Sequence, residues 1–160
     1  MSTDPKRELL RHTVATLAYR GGKAVRDAPE SFANFHPSET SRTPAQILAH
    51  IGDLMDWALS IAKGSEKWHN SEPQSWTKDV ERFHAALSRL DEYLASAEEL
   101  HGTCEGIFQG AIADSLTHVG QLNMLRRIAG DPIKGENYSK ADIKSGRVGA
   151  EQTKPKFEFD

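Results

Sequence analysis

The sequence predicts an all-α fold: a four-helix bundle with a long crossover between the second and third helices and an irregular C-terminal extension. Apolar residues recur at steps of three and four in four separate segments, the spacing of helices that bury one face. Capping residues and glycines bracket these segments, and little in the chain suggests strands. At 160 residues the chain is long enough for one domain with a hydrophobic core.

The first helix is predicted to run from Asp4 or Pro5 to Asp27. Its apolar face is formed by Leu10, Val14, Leu17 and Val25. Gly21 and Gly22 weaken it, because a glycine inside a helix costs about 1 kcal/mol relative to alanine. Alternatively, these small residues admit a close neighbour or a ligand.

The second helix is predicted to begin at an N-cap on Thr43, with Pro44 in its first turn, and to end near Lys63 at Gly64. Its apolar stripe advances in steps of three and four and consists of Ile47, His50, Leu54, Trp57 and Ile61. That spacing predicts that His50 lies inside a buried seam.

A polar crossover from Ser65 to Ser75 follows, with Trp68 inside it and Trp76 just beyond it. These tryptophans are expected to pack the loop onto the bundle, and the alternative is that they line a pocket. The third helix shows the clearest period in the chain: Val80, Phe83, Leu87, Leu90 and Leu94.

The fourth helix is predicted over roughly Gly106 to Ala129, and Gly130 with Pro132 ends it. Three polar residues recur at i, i+4 and i+7 along one flank of this helix: Asp114, His118 and Gln121. An imidazole and a carboxylate one turn apart lie on the same side of a helix.

Residues 1–132 are predicted to form the bundle, and residues 133–160 a polar C-terminal extension rich in Gly and Lys. Tyr138, Ile143 and Val148 are sufficient to anchor the extension across the bundle, where it would cover a metal cleft or a subunit interface. Partial disorder is the alternative for the last ten residues.

Composition excludes several classes of function. A net charge of −3 and a pI near 6.2 provide no basic face for nucleic acid. No apolar run approaches the roughly 20 residues needed to span a bilayer, and the polar N-terminus is unlike a secretory signal. Cys104 is the single cysteine, which fits a reducing compartment. We expect a cytoplasmic protein without nucleic-acid or membrane partners.

The polar residues inside the predicted bundle favour a metal site. An unpaired buried polar group costs about 1–3 kcal/mol, so His50, Asp114 and His118 need partners. A divalent ion would satisfy all three at once. The alternative is a hydrogen-bonded core without an ion.

Two segments resemble a known family. Residues 43–50, TPAQILAH, and residues 114–121, DSLTHVGQ, are similar to the DinB/YfiT-like superfamily of small bacterial bundle proteins. That family typically has a histidine on its second helix and a His-x3-His-x-Gly-Gln pattern on a later one. The resemblance extends from the first helix through Pro132.

The resemblance implies a ligand set. His50 and His118 correspond to two family ligands, and Asp114 stands where the family usually has its other histidine. Zinc or nickel is therefore the expected ion, and two imidazoles with one carboxylate also suit iron(II) or manganese(II). The aspartate leaves open a second interpretation, that this branch has lost tight metal binding. A homodimer is also implied.

The implied activity is metal-dependent chemistry on a small-molecule substrate: transfer that uses a low-molecular-weight thiol as co-substrate, or hydrolysis. Gln121 is predicted to orient a metal-bound water or a substrate carbonyl, and a helix-end polar contact is the alternative. Asp53 is predicted to hold the imidazole of His50 or to accept a proton, and a solvated surface residue is the alternative. A second class of function is a non-enzymatic stress-response or binding bundle with a structural or absent metal.

Other polar residues are expected to be less informative. Five histidines are predicted on the surface or in loops: His12, His36, His69, His84 and His101. Arg126 and Arg127 are expected to stabilise the negative end of the fourth helix, with binding of an anionic substrate as the alternative.

Overall fold

The computed structural model describes residues 4–159, which are mostly helical, with four long helical segments and little strand. The predicted all-α class is confirmed at this level. Residues 1–3 of the predicted bundle and residue 160 of the extension lie outside the described part. Within that part, no helix combines the length and the apolar character that crossing a membrane requires.

Helix α1 is Pro5–Val25. It begins where predicted, because the side chain of Asp4 accepts a hydrogen bond from the backbone N–H of Lys6 and caps the first turn. Gly21 allows a close neighbour: a Cβ at this position would lie 2.6 Å from Cζ of Phe83. Of the two interpretations of this glycine, the structure supports the close packing partner.

Helix α2 is Pro44–Ala62, and a capping box between Thr43 and Gln46 fixes its start. Its buried face includes Ile47, Leu48, Ile51, Leu54, Met55, Ala58 and Ala62. The prediction that the buried face of α2 is centred on His50 is therefore wrong. Because α2 carries a second apolar stripe one residue further along, the core lies on that stripe, and His50 and Trp57 lie half-buried at its edge.

Helix α3 is Trp76–Ala95, and the side chain of Ser75 caps it by accepting from the N–H of Lys78. The predicted core face is confirmed for Phe83, Leu87, Leu90 and Leu94, which are all at most 1% exposed. Residues 63–75, between α2 and α3, contain no helix or strand.

Helix α4 covers residues 104–128 in three parts: an α-helical turn at Cys104–Ile107, a π-helical turn at Phe108–Ile112 and an α-helix at Ala113–Ile128. It begins slightly earlier than predicted, and no residue pattern predicted the wider π-helical turn. π-Helical turns change the direction of the side chains that follow them and are frequent at functional sites.

The four helices share one core. Helix α1 packs on α3 and α4, and α2 packs on α3 and α4. Helices α2 and α4 are therefore neighbours, which brings the two segments that carry the predicted metal ligands to one interface.

The C-terminal extension packs on the bundle. Its strand β1, Gly135–Glu136, pairs antiparallel with β2, Glu158–Phe159, which the sequence did not predict. The buried carboxylate of Glu136 accepts hydrogen bonds from the hydroxyl of Tyr19 at 2.6 Å and from Nζ of Lys23 at 3.0 Å. These contacts tie the extension to α1.

Val148 of the extension joins the hydrophobic core at 6% exposure. It also covers part of α3, where the backbone of Val148 faces the imidazole of His84. The prediction of a surface or loop position for His84 is thus wrong. Burial lowers the pKa of His84, and the positive charge of Arg26 lowers it further, against the opposing effect of the Val148 hydrogen bond.

Arg126 is also buried, at 4% exposure. Its guanidinium donates to the carbonyl oxygens of Ala24 and Arg26 and to the carboxylate of Asp131. It therefore supplies hydrogen bonds to backbone carbonyl groups at the C-terminal end of α1. These bonds use the N–H donors that an anionic substrate would need.

Candidate metal centre

His50 on α2 meets Asp114 and His118 on α4. The Nε2 atom of His50 lies 3.6 Å from Oδ2 of Asp114, and Nε2 of His118 lies 3.5 Å from the same oxygen. One ligand atom from each residue lies within 4.8 Å of the other two. The two imidazole rings are perpendicular, with centroids 4.8 Å apart. The structure thus brings together the three residues that the sequence proposed as ligands.

The separations fit a single divalent ion. Two ligands bound at about 2.1 Å in a tetrahedral arrangement are about 3.4 Å apart. The distances from Asp114 to His50 and to His118 are 3.6 and 3.5 Å. The ligand atoms of the remaining pair, His50 and His118, lie within 4.8 Å of each other, so the imidazoles would have to approach for all three residues to bind one ion.

Gln121 sets the orientation of His118. Its Oε1 atom lies 2.7 Å from Nδ1 of His118, one turn away on the same helix. A proton on Nδ1 makes this hydrogen bond and leaves the lone pair of Nε2 directed at Asp114, which is how metal-binding histidines are commonly held. The role of Gln121 toward a bound water or a substrate carbonyl stays a prediction.

The surroundings of His50 favour its neutral form. Burial lowers its pKa, and the positive charges of His118 and Arg42 lower it further, while Asp114 acts in the opposite direction. A neutral imidazole is the form that binds a metal, so fewer protons compete with an ion at neutral pH.

The site lies at the rim of the interface rather than inside the core. The side chain of Asp114 is 48% exposed, whereas those of His50 and His118 are 20% and 13% exposed. All three residues are predicted from the sequence to lie in an apolar interior, and this prediction is wrong for Asp114. The exposed carboxylate leaves one side of the site open to solvent and to small molecules.

Asp53 is buried but does not contact His50. Its carboxylate accepts hydrogen bonds from the N–H of Ser71 at 2.8 Å, from Oγ of Ser71 at 2.6 Å and from Arg82 at 2.7 Å. Burial raises its pKa, but these hydrogen bonds outweigh that effect and lower the pKa overall. Asp53 therefore fastens the crossover to α2 and is a weak base, which differs from both roles predicted for it.

A tryptophan flanks His50. The ring of Trp68, from the crossover, lies edge-on to His50 at 5.6 Å and to Trp57 at 5.9 Å between centroids. Trp76, by contrast, is buried against Phe32 and packs the loop. One of the two crossover tryptophans thus lines the site, and the other belongs to the core.

Arg42 is a residue of the site that sequence reasoning missed. It directly precedes the cap of α2 and lines two cavities, one beside His50 and one beside Gln121. The only signal in the sequence is position, because Arg42 stands directly before the Thr43 cap of the helix that carries His50. As a charge just outside a helix it resembled an ordinary loop residue.

The histidines, Asp114 and the orienting glutamine meet between α2 and α4; one cavity adjoins them at His50 and the other at Gln121, and Arg42 lines both cavities. Comparison of the chain with models of protein families, with curated proteins and with solved structures finds no match. Two imidazoles and one carboxylate are a sufficient set for one divalent cation, and three protein ligands leave coordination positions open.

Proposed function

We propose that this chain is a divalent-metal-dependent enzyme of the DinB-like type, which acts on a small molecule by thiol-group transfer or hydrolysis. The observation that carries the proposal is the convergence of His50, Asp114 and His118 to within 4.8 Å. Zinc or nickel is the proposed ion, and iron(II) or manganese(II) are the alternatives. The DinB-like four-helix bundle, the homodimer and the cytoplasmic location belong to the same proposal.

A bound ion would supply Lewis-acid chemistry at its open positions, where it lowers the pKa of a water or holds a thiol as thiolate. The protein contributes position and access. Gln121 keeps the imidazole of His118 oriented, and Trp68 covers one side of His50. The exposed carboxylate of Asp114 marks the side from which a substrate approaches.

The second candidate is a binding bundle without turnover. It is favoured by the same short distances, because Asp114 lies within ion-pair range of His50 and of His118. An imidazole that carries a proton could form an ion pair with that carboxylate, so the three polar side chains would have partners without a metal ion. A metal-free protein whose stability is unchanged by chelators would support this second candidate.

Spectroscopy on cobalt(II)-loaded protein separates the candidates. We expect one cobalt ion per chain, and added 2-mercaptoethanol should produce a thiolate-to-cobalt absorption band if thiols bind at the ion. If the activity is hydrolysis, zinc-loaded protein should instead accelerate the hydrolysis of p-nitrophenyl acetate.

His118→Ala should abolish these signals, and His36→Ala, at an exposed histidine outside the site, should retain them. An ion that binds without either signal favours the binding bundle. Failure to bind any ion contradicts both the enzyme and the metal centre.

A further inference from the structure

Arg42 is a cation beside the site whose charge is not used by the fold. Within the described part of the chain its guanidinium makes no hydrogen bond or ion pair. It nevertheless lies beside the site, because Arg42 and His50 line the same cavity. Arg82, the nearby arginine of α3, is different, since Asp53 accepts its hydrogen bond at 2.7 Å.

The two cavities that Arg42 lines differ in chemistry. The smaller has a volume of about 160 Å³ and is polar, with the carboxylates of Asp53 and Glu72 in its walls. The larger has a volume of about 310 Å³, and the described residues that line it include no carboxylate. An anion is therefore favoured in the larger cavity, which we call the Arg42 groove.

The walls of the Arg42 groove are mainly apolar. They are formed by Ile47, Met124 and Leu125, with Ser41 at the edge. Met124 is 59% exposed, so core packing does not account for it. A flexible methionine beside an apolar wall is well suited to contact a ligand of variable shape.

The groove adjoins the metal centre through one residue. Gln121, which orients His118, lines it together with Arg42. A molecule held in the groove therefore lies between a free guanidinium and the residue that positions a metal ligand.

We propose that the Arg42 groove binds a small monocarboxylate with an apolar body, its carboxylate paired with Arg42 and its hydrocarbon part against Ile47, Met124 and Leu125. A guanidinium binds a carboxylate through two parallel hydrogen bonds, and apolar walls favour removal of methylene groups from water. Because Arg42 is the cation in its lining, the groove matches a monoanion better than a phosphate dianion. That this ligand is the substrate rests on the proposed function; its binding does not require the ion.

Nuclear magnetic resonance of the full chain with 13C-labelled methionine methyl groups tests this directly. Titration with hexanoate should shift the methyl signal of Met124 in a saturable way, while that of Met55, which is fully buried, stays in place. Arg42→Gln should weaken hexanoate binding about tenfold. Arg127→Gln removes the same charge at an exposed position in a second cavity, which shares Met124 with the groove, and it should bind hexanoate like the wild type. Weaker binding by Arg127→Gln than by Arg42→Gln would assign the ligand to the second cavity and overturn the proposal.

Hexanol, acetate and inorganic phosphate should each bind more weakly than hexanoate, because each lacks the apolar body or the single negative charge. Equal binding by Arg42→Gln and wild type, an unmoved Met124 signal, or tighter binding of phosphate would overturn the proposal.

The titration is made with and without zinc and repeated on His118→Ala. If His118→Ala no longer binds the ion but still binds hexanoate, the groove does not depend on the metal centre. A failure of the proposed function can then be distinguished from a failure of the groove.

Discussion

At the scale of single residues, the site depends on the orientation of one imidazole. Gln121 holds Nδ1 of His118 at 2.7 Å and so leaves Nε2 to face Asp114. Gln121→Met keeps the size of the side chain and removes this hydrogen bond. We predict that it lowers zinc affinity about 10–100-fold without loss of helicity, as measured by calorimetric titration and circular dichroism. Gln109→Met, at an exposed glutamine of α4, is the control, and an equal loss in both variants would refute the role of Gln121.

Asp53 gives a prediction about pH. Because its hydrogen bonds with Ser71 and Arg82 lower its pKa in the folded state, it stabilises the fold above its ordinary pKa near 4. That contribution is lost as the pH falls through the lowered value. Asp53→Asn should therefore be less stable than wild type at pH 7, and the difference should shrink below about pH 4. Urea unfolding from pH 7 to pH 3 measures it, and a difference that grows toward acid pH would contradict the assignment.

The sequence was sufficient to predict those residues of the site that lie on the same helix. Asp114, His118 and Gln121 repeat with the helical period, so their shared side could be read directly. The partners of Asp53 and the exposure of Asp114 could not be predicted in this way. They depend on how the crossover and α2 pack, which no local spacing encodes.

At the scale of elements, Gly21 controls the contact between α1 and α3. Alanine is favoured over glycine in a helix by about 1 kcal/mol, but its Cβ would lie 2.6 Å from the buried ring of Phe83. Since the ring is only 1% exposed and cannot move freely, we predict that Gly21→Ala lowers the free energy of unfolding by about 1–2 kcal/mol.

Gly120 is the matched control for this substitution, because a Cβ there meets nothing within 4 Å. Gly120→Ala should raise the free energy of unfolding by about 1 kcal/mol. Denaturant unfolding of both variants checks the pair. Stabilisation by both substitutions would show that α1 and α3 do not approach closely at Gly21.

The helices differ in how well the sequence predicted their buried faces. Helix α3 is strongly amphipathic, and the prediction of its buried stripe was correct from Phe83 to Leu94. Helix α2 is apolar over more of its circumference, so two stripes were compatible with its period, and packing selected the one centred on Ile51 and Met55. The π-helical turn in α4 has no compositional signal, because it arises from hydrogen-bond geometry.

At the scale of the whole molecule, a buried ionic cluster fastens the C-terminal extension to α1. Lys23 contacts Glu136 and Glu158, one from each strand, at 3.0 Å, and Tyr19 donates to Glu136. Glu136→Ala leaves the hydroxyl of Tyr19 without its acceptor and Lys23 with one partner. Since such groups are costly to bury unpaired, we predict a loss of about 2–4 kcal/mol in the free energy of unfolding.

Glu151→Ala, at an exposed residue of the same extension, is the control and should leave stability within about 0.5 kcal/mol of wild type. Amide hydrogen exchange should also accelerate in the extension of Glu136→Ala. Unchanged exchange and stability would show that the cluster does not hold the extension in place. The sequence indicated anchoring residues here, whereas strands of two residues are too short for a periodic signal.

We propose that α2 and α4 together hold one divalent ion through His50, Asp114 and His118. The most direct test of this proposal is calorimetric titration of zinc into metal-free wild type, the alanine variants of these three residues, and His36→Ala as control. We predict one zinc ion per chain in the wild type and in the control, and affinity at least about tenfold weaker in each site variant. Absence of saturable zinc binding to the wild type, or unchanged affinity in the three site variants, would contradict it.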